Sequence, residues 1–188
     1  MISLPDAYDT IVHHAKQIGF DMQSDLHAGM FLRVIAASKK SGNFLELGTG
    51  LGLSTSWLLD GMDSNSKLMT VENDLKLAEF VNEVFSNDSR LTFIADDASN
   101  VILTQKSNTF DLIFADTWVG KYSLLNETLA LLKVGGVYLI DDMLPQPNWS
   151  EGHEVKVQEL LKFLERCSNM HICKIGWSSG LVYCVRTA

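Results

Sequence analysis

Apolar positions follow two different rhythms along the 188-residue chain. At the start they recur with helical spacing: Tyr8, Ile11, Val12, Ala15 and Ile18 share one face of a predicted helix over 5–18, opened by Pro5 and closed by Gly19. Leu26, Met30, Val34 and Ile35 form a second stripe over 25–40, capped by Ser24 and ended before Gly42. From residue 43 the rhythm changes to short apolar runs, at Asn43–Leu47, Leu68–Val71, Leu91–Ala95, Leu112–Ala115 and Val137–Ile140. Helical segments at 53–60, 74–86, 98–104, 122–133 and 151–166 fall after these runs. Strands alternating with helices imply right-handed crossovers and a parallel sheet covered on both faces. The runs Ile172–Ile175 and Leu181–Val185 leave no room between them for a helix, so they predict an antiparallel hairpin. The expected fold is thus α/β: a doubly wound, Rossmann-like, seven-stranded sheet, mainly parallel. One domain over 1–188 is expected, with N-terminal helices over 1–42 and the sheet-bearing core over 43–188.

Composition narrows the setting. A 46% hydrophobic and 20% charged make-up is that of a globular chain, and no apolar run approaches the ~18 residues that cross a bilayer. Residues 1–6 lack the basic start and apolar stretch of a secretory leader. Cys167, Cys173 and Cys184 are an odd number at irregular spacing, and Cys173 and Cys184 lie in apolar runs. Buried thiols and a cytoplasmic location are the expectation. A net charge of −8 with no basic cluster beyond Lys39-Lys40 argues against a nucleic-acid partner.

The chemistry is concentrated at the ends of the predicted strands. Phe44-Leu-Glu-Leu-Gly-Thr-Gly-Leu-Gly-Leu-Ser-Thr55 leaves a strand and opens a helix, with Gly48, Gly50 and Gly52 spaced GxGxG. The dinucleotide fingerprint needs a glycine where Leu53 stands, which disfavours a pyrophosphate. The helix start can instead receive a carboxylate, with Ser54 as a hydroxyl donor; a plain tight turn is the alternative. Glu72 ends the second strand, where an acid can accept both hydroxyls of a ribose or merely stand at a helix start. Asp97 and Ala98, after the third strand, can read an adenine edge, or form a turn.

The order Glu46-x-Gly-x-Gly-x-Gly, Glu72, Asp97-Ala98, Asp116, Gly135-Gly136 resembles the class I S-adenosylmethionine-dependent methyltransferases. More narrowly it is similar to the metal-dependent small-molecule O-methyltransferases of the catechol and caffeoyl-coenzyme A type. The likeness extends from about residue 24 to the C-terminus and includes His27-Ala-Gly-Met-Phe-Leu32, Asp111-Leu-Ile-Phe-Ala-Asp116 and Leu131 to Asp142. The resemblance implies that Gly48, Thr49, Gly50 and Gly52 wrap the methionine part of the cofactor, with Glu46 and Met30 nearby and Ser54 at its carboxylate. It implies Glu72 at the ribose, Asn73 beside the adenine, Asp97 and Ala98 at its edge, and Trp118 and Asp116 against the cofactor. For Trp118 a core position is the alternative.

Asp116, Asp141 and Asp142 end the fourth and fifth strands, where ligands of such sheets gather. Three carboxylates there repel unless a cation joins them, and an all-oxygen set suits Mg²⁺, Mn²⁺ or Ca²⁺. In the family two Asp and one Asn hold the ion, which activates the acceptor hydroxyl; capping and turn roles are the alternative for Asp141 and Asp142. Two departures stand out: Asp142 replaces the Asn, and Val119 replaces the family's lysine. Lys121, two residues on, is either a displaced base beside catalytic Asp116 or a solvated cation at a helix start.

The expected activity is methyl transfer to the hydroxyl of a small phenolic acceptor, with metal assistance. The acceptor walls are expected from the first two helices, the loop Pro145–Trp149 and Trp177. The N-terminal helical stripes and Trp177 also suggest a homodimer. Two other readings stay open: a cofactor-binding protein with little catalysis, to which Val119 lends weight, and a nicotinamide-dependent oxidoreductase, against which Leu53 and the terminal hairpin count. A base methyltransferase is disfavoured because Ala115-Asp-Thr-Trp118 is no Asn-Pro-Pro-aromatic motif.

Overall fold

The computed structural model describes residues 3–188; Met1 and Ile2, which begin the stretch inspected for a leader, lie outside them. Two helices come first, α1 (Tyr8–Ile18) and α2 (Leu26–Ser38). The core follows as β1 (Asn43–Leu47), α3 (Leu53–Gly61), β2 (Lys67–Glu72), α4 (Leu75–Phe85), β3 (Leu91–Ala95), α5 (Ala98–Thr104), β4 (Phe110–Ala115), α6 (Leu125–Leu131), β5 (Leu132–Ile140), α7 (His153–Arg166), β6 (Met170–Ile175) and β7 (Leu181–Arg186).

The seven strands form one sheet in the order β3-β2-β1-β4-β5-β7-β6. Pairings from β3 through β5 are parallel, whereas β7 runs antiparallel to both β5 and β6. From β1 the chain winds outward to β3, then returns to β4 on the other side of β1. A crevice opens at the carboxyl ends where the winding reverses, between β1 and β4. The central strands are mainly apolar because helices cover both faces, with Glu46 in β1 and Thr70 in β2 as buried polar exceptions. Leu32, Trp57 and Phe114 belong to the core beneath α1–α4, and Val101, Leu131, Leu160 and Tyr138 to the core beneath α5–α7.

Several local expectations change. The cap of α2 is Asp25, whose Oδ1 accepts from the His27 and Ala28 amides at 2.8 and 3.0 Å. Ser24 lies one residue outside the helix, its hydroxyl directed at Asp116 instead. Val34 is 65% exposed, because Ala28, Leu32, Ile35 and Ala36 make the inward stripe. Cys173 is exposed while Cys184 is buried: β6 is the sheet's edge and turns Cys173 to solvent. β3, the opposite edge, likewise exposes Thr92 and Ala95 and so is not apolar on both faces. The sixth helix begins at Leu125, so Lys121 belongs to a turn before it rather than to a helix start.

Candidate functional site

The turn after β1 is built by backbone that only glycine adopts easily. Gly48 and Gly50 have φ of 94° and 54°, and a Cβ on Gly48 would lie 2.9 Å from the Asp116 carbonyl oxygen. The Gly48 and Thr49 amides both donate to the Val71 carbonyl at 3.1 Å. Glu72 ties the turn to β2, its Oε2 accepting from the Gly50 amide at 2.8 Å. Its Oε1 accepts from the Asn73 and Asp74 amides at 2.9 Å.

Below the turn lies a closed polar network. Glu46 is fully buried, and its Oε2 accepts from the Thr55 and Thr70 hydroxyls at 2.5 and 2.6 Å. Thr70 in turn lies 2.6 Å from the Thr49 hydroxyl, while Glu46 Oε1 has no hydrogen-bond partner. Burial pushes the Glu46 carboxyl above the usual range, against the hydroxyls that favour its ionised form.

One cavity of about 550 Å³ occupies the crevice. Gly48, Thr49, Gly50, Ser54, Glu72 and Asn73 line one end of it, and Asp116, Trp118, Lys121, Asp141 and Asp142 the other. Five expected residues fall outside the lining. Glu46 is sealed beneath the turn. Gly52 admits the Phe85 ring, which a Cβ there would meet at 2.6 Å. Asp97 caps α5 through the Ser99 amide at 2.8 Å, and Ala98 is the first residue of that helix. Met30 packs on the core beneath α1–α4.

The acidic end of the cavity is crowded. Asp141 is 2% exposed, and its Oδ1 accepts from the Asp142 amide at 2.7 Å and from the Ser179 hydroxyl. Asp142 has a φ of 61°, and its Oδ1 accepts from the Trp149 indole at 2.6 Å. Lys121 is 3% exposed; its Nζ donates to the Asp141 carbonyl at 3.1 Å and stands 4.0 Å from Asp116 Oδ1. The reading of Lys121 as a solvated cation is therefore wrong. Burial and the neighbouring Asp141 raise the Asp116 carboxyl well above its ordinary range, with Lys121 opposing. Burial raises Asp141 too, against the Ser179 and Asp142 hydrogen bonds.

These acids do not fit a divalent ion. Among the described residues no three His, Cys, Asp or Glu side chains are grouped to hold one. Asp141 Oδ1 and Asp142 Oδ1 are turned onto protein donors, and an ammonium already stands in their midst. Asp116, Asp141 and Asp142, the expected metal triad, line this end of the cavity together with Lys121.

Other wall residues escaped the sequence reading. His153, 5% exposed, stacks on Trp149 with ring centroids 4.2 Å apart. Its Nε2 lies 2.9 Å from the Tyr122 hydroxyl and 3.9 Å from Asp142 Oδ2, and burial lowers its pKa. The spacing of Trp149 and His153 across a helix start was the available signal. The linker Phe20–Ser24, rather than the first two helices themselves, closes the opposite side. Trp118 is 47% exposed at the cavity rim, which removes the core alternative. The loop after β5 contributes Gln146, Asn148 and Trp149 as expected, but Trp177 does not reach the cavity. It packs edge-on to Phe31, centroids 5.7 Å apart.

A sheet wound this way, ending in an inserted antiparallel strand and with its cavity over a GxGxG turn, has the architecture of a class I methyltransferase. A family model described as a methyltransferase domain matches residues 45–143, more than half of the sequence, and the chain belongs to that family. A provisionally named O-methyltransferase of Mycobacterium sp. strain KMS is 27% identical over 140 residues, 70% of this chain and 64% of its own length. A relative from Mycobacterium ulcerans with the same provisional name is 23% identical, covering 95% of this chain and 85% of its own. Among solved structures, the O-methyltransferase TomG of Streptomyces achromogenes, in complex with S-adenosylmethionine, superposes with a TM-score of 0.85 at 17% identity. The superposition covers all of this chain and 92% of the other. An O-methyltransferase of Bacillus cereus bound to S-adenosylhomocysteine gives the same score and identity, covering 100% and 93%.

Proposed function

We propose that the protein transfers the methyl group of S-adenosylmethionine to a hydroxyl of a small phenolic acceptor. The observation that carries this reading is that the glycine turn, Glu72 and the Asp116–Lys121–His153 cluster open into one cavity. The O-methyltransferase names of the relatives and fold neighbours support the same activity. The cradle fits the cofactor: Gly48 lets the turn pack against the Asp116 backbone, and Glu72, tied to the Gly50, Asn73 and Asp74 amides, holds its carboxylate at the cavity wall.

In this reading Gly48, Thr49, Gly50 and Ser54 hold the methionine portion. Glu72 accepts from the ribose hydroxyls and Asn73 borders the adenine, while Asp97 and Ala98 begin α5 outside the cavity lining. Glu46 and Gly52 act from behind, fixing the turn and seating α3. Bound S-adenosylmethionine supplies an electrophilic methyl group on a sulfonium centre. Trp118 packs against the cofactor, and Trp149 and the Phe20–Ser24 linker hold the acceptor so that its oxygen lies in line; such alignment supplies much of the rate. Metal assistance, implied by the resemblance, is not part of this reading because the acids do not fit an ion. Free thiols at Cys167, Cys173 and Cys184 support a reducing, cytoplasmic setting, and the exposed Val34 and Trp177 support a homodimer.

The test is an assay with methyl-labelled S-adenosylmethionine against matched phenols and aliphatic alcohols. Label is expected in the phenols. Transfer to the alcohols alone, or to neither class, would overturn the phenolic reading.

A further inference from the structure

A lysine with 3% exposure needs a reason to be inside. The turn before α6 puts it there: the Lys121 and Tyr122 amides both donate to the Trp118 carbonyl, at 3.2 and 2.8 Å. The Gly120 carbonyl accepts from the buried Tyr138 hydroxyl at 2.5 Å, which pins the turn to β5. The Lys121 stem is thereby directed between the ends of β4 and β5. Its Nζ meets the Asp141 carbonyl at 3.1 Å and Asp116 Oδ1 at 4.0 Å, and it lines the cavity.

A buried ammonium is stable only where anions and acceptors compensate its desolvation, and buried carboxylates need a cation for the same reason. Here each supplies the other's requirement. An ion such as Mg²⁺ demands oxygens converging at about 2.0–2.1 Å in an octahedron. The carboxylates are instead spread over Ser179, Trp149 and Lys121. From that disagreement we infer that the Lys121 ammonium serves as the resident cation of the acceptor site, in place of a divalent metal. The inference rests on the methyl-transfer reading above.

Lys121 Nζ donates a hydrogen bond to the acceptor oxygen and stabilises the negative charge that grows there as the proton leaves. That proton passes to Asp142 Oδ2, which lies 3.9 Å from His153 Nε2. The acceptor oxygen then forms its bond to the methyl carbon, the carbon–sulfur bond breaks, and its electron pair stays on sulfur as a neutral thioether. A single positive charge lowers an acceptor's pKa less than a divalent ion, so hydroxyls that are already acidic are favoured. In this account the ammonium takes the activating role that the resemblance gives to an ion.

The experiment uses metal-stripped protein saturated with S-adenosylhomocysteine. In a Mn²⁺ titration followed by electron paramagnetic resonance, wild type is expected to leave the free-ion signal unchanged. Lys121→Ala, which uncovers the acids, is expected to attenuate it. In EDTA, 4-nitrocatechol is expected to shift to its ionised spectrum on wild type, and at least tenfold less on Lys121→Met. Uptake of one Mn²⁺ per wild-type chain, or a nitrocatechol shift that requires Mg²⁺ or survives in Lys121→Met, would overturn the inference. Calorimetry with S-adenosylhomocysteine keeps the two failures apart. Equal affinity in wild type and Lys121→Met shows an intact site, whereas no binding to wild type defeats the methyl-transfer reading itself.

Discussion

Glu46 shows how one buried side chain shapes behaviour in solution. Burial raises its pKa, so the folded protein holds this proton more tightly than the unfolded chain does. That contribution to stability is full below the ordinary carboxylate range and is lost as pH rises through the raised folded value. Asp116 and Asp141 act in the same sense. Asp63, Asp88 and Asp97, lowered by hydrogen bonds from Ser41, Arg90 and Ser99, act in the opposite one. A comparison with Glu46→Gln isolates the one residue, since an amide oxygen can still accept from Thr55 and Thr70. Urea unfolding at acid and neutral pH is expected to show that the variant escapes part of the loss suffered by wild type as pH rises. An unchanged difference between the two pH values would contradict the buried-proton account.

At the level of elements, α2 is held at both ends of the site. Asp25 caps it through His27 and Ala28, and its Oδ2 also accepts from the Ser178 hydroxyl of the β6–β7 connection. Asp25→Ala removes the cap, worth about 1 kcal/mol, and frees the linker Phe20–Ser24 from its far anchor. A lower melting temperature together with weaker S-adenosylhomocysteine binding is expected. A loss of stability with binding unchanged would show that the linker is fixed without α2. The strand and helix alternation was legible in the sequence because burial on both faces writes apolar runs directly into it. What escaped depends on contacts between distant elements. Ser24 and Asp25 are both good capping residues, and only the position of Asp116 shows which one is drawn away. Lys121 reads as a displaced base or a solvated cation alike until the Trp118–Tyr122 turn carries it inward. His153 belongs to the site only because α7 starts beside the ends of β4 and β5. Cys173 and Val34 went wrong because an edge strand and a helix flank look as apolar as their covered neighbours.

For the whole molecule, the reversal of winding between β1 and β4 brings the glycine-turn end and the acidic end into one cavity. The glycine turn and Glu72 come from one half of the sheet, Asp116, Lys121 and Asp142 from the other. On the outer surface, Val34 and the 44% exposed Trp177 lie on elements that already touch each other. Light scattering at high micromolar concentration is expected to return twice 20.9 kDa; the monomer mass would contradict the homodimer.

The central claim is that this cavity binds S-adenosylmethionine through the glycine turn and Glu72. Isothermal titration with S-adenosylhomocysteine tests it most directly. One site per chain is expected in wild type, with affinity in Glu72→Ala reduced at least tenfold, since each charged hydrogen bond lost is worth about 1.5–3 kcal/mol. An absence of heat with wild type, or undiminished affinity in a folded Glu72→Ala, would contradict the account.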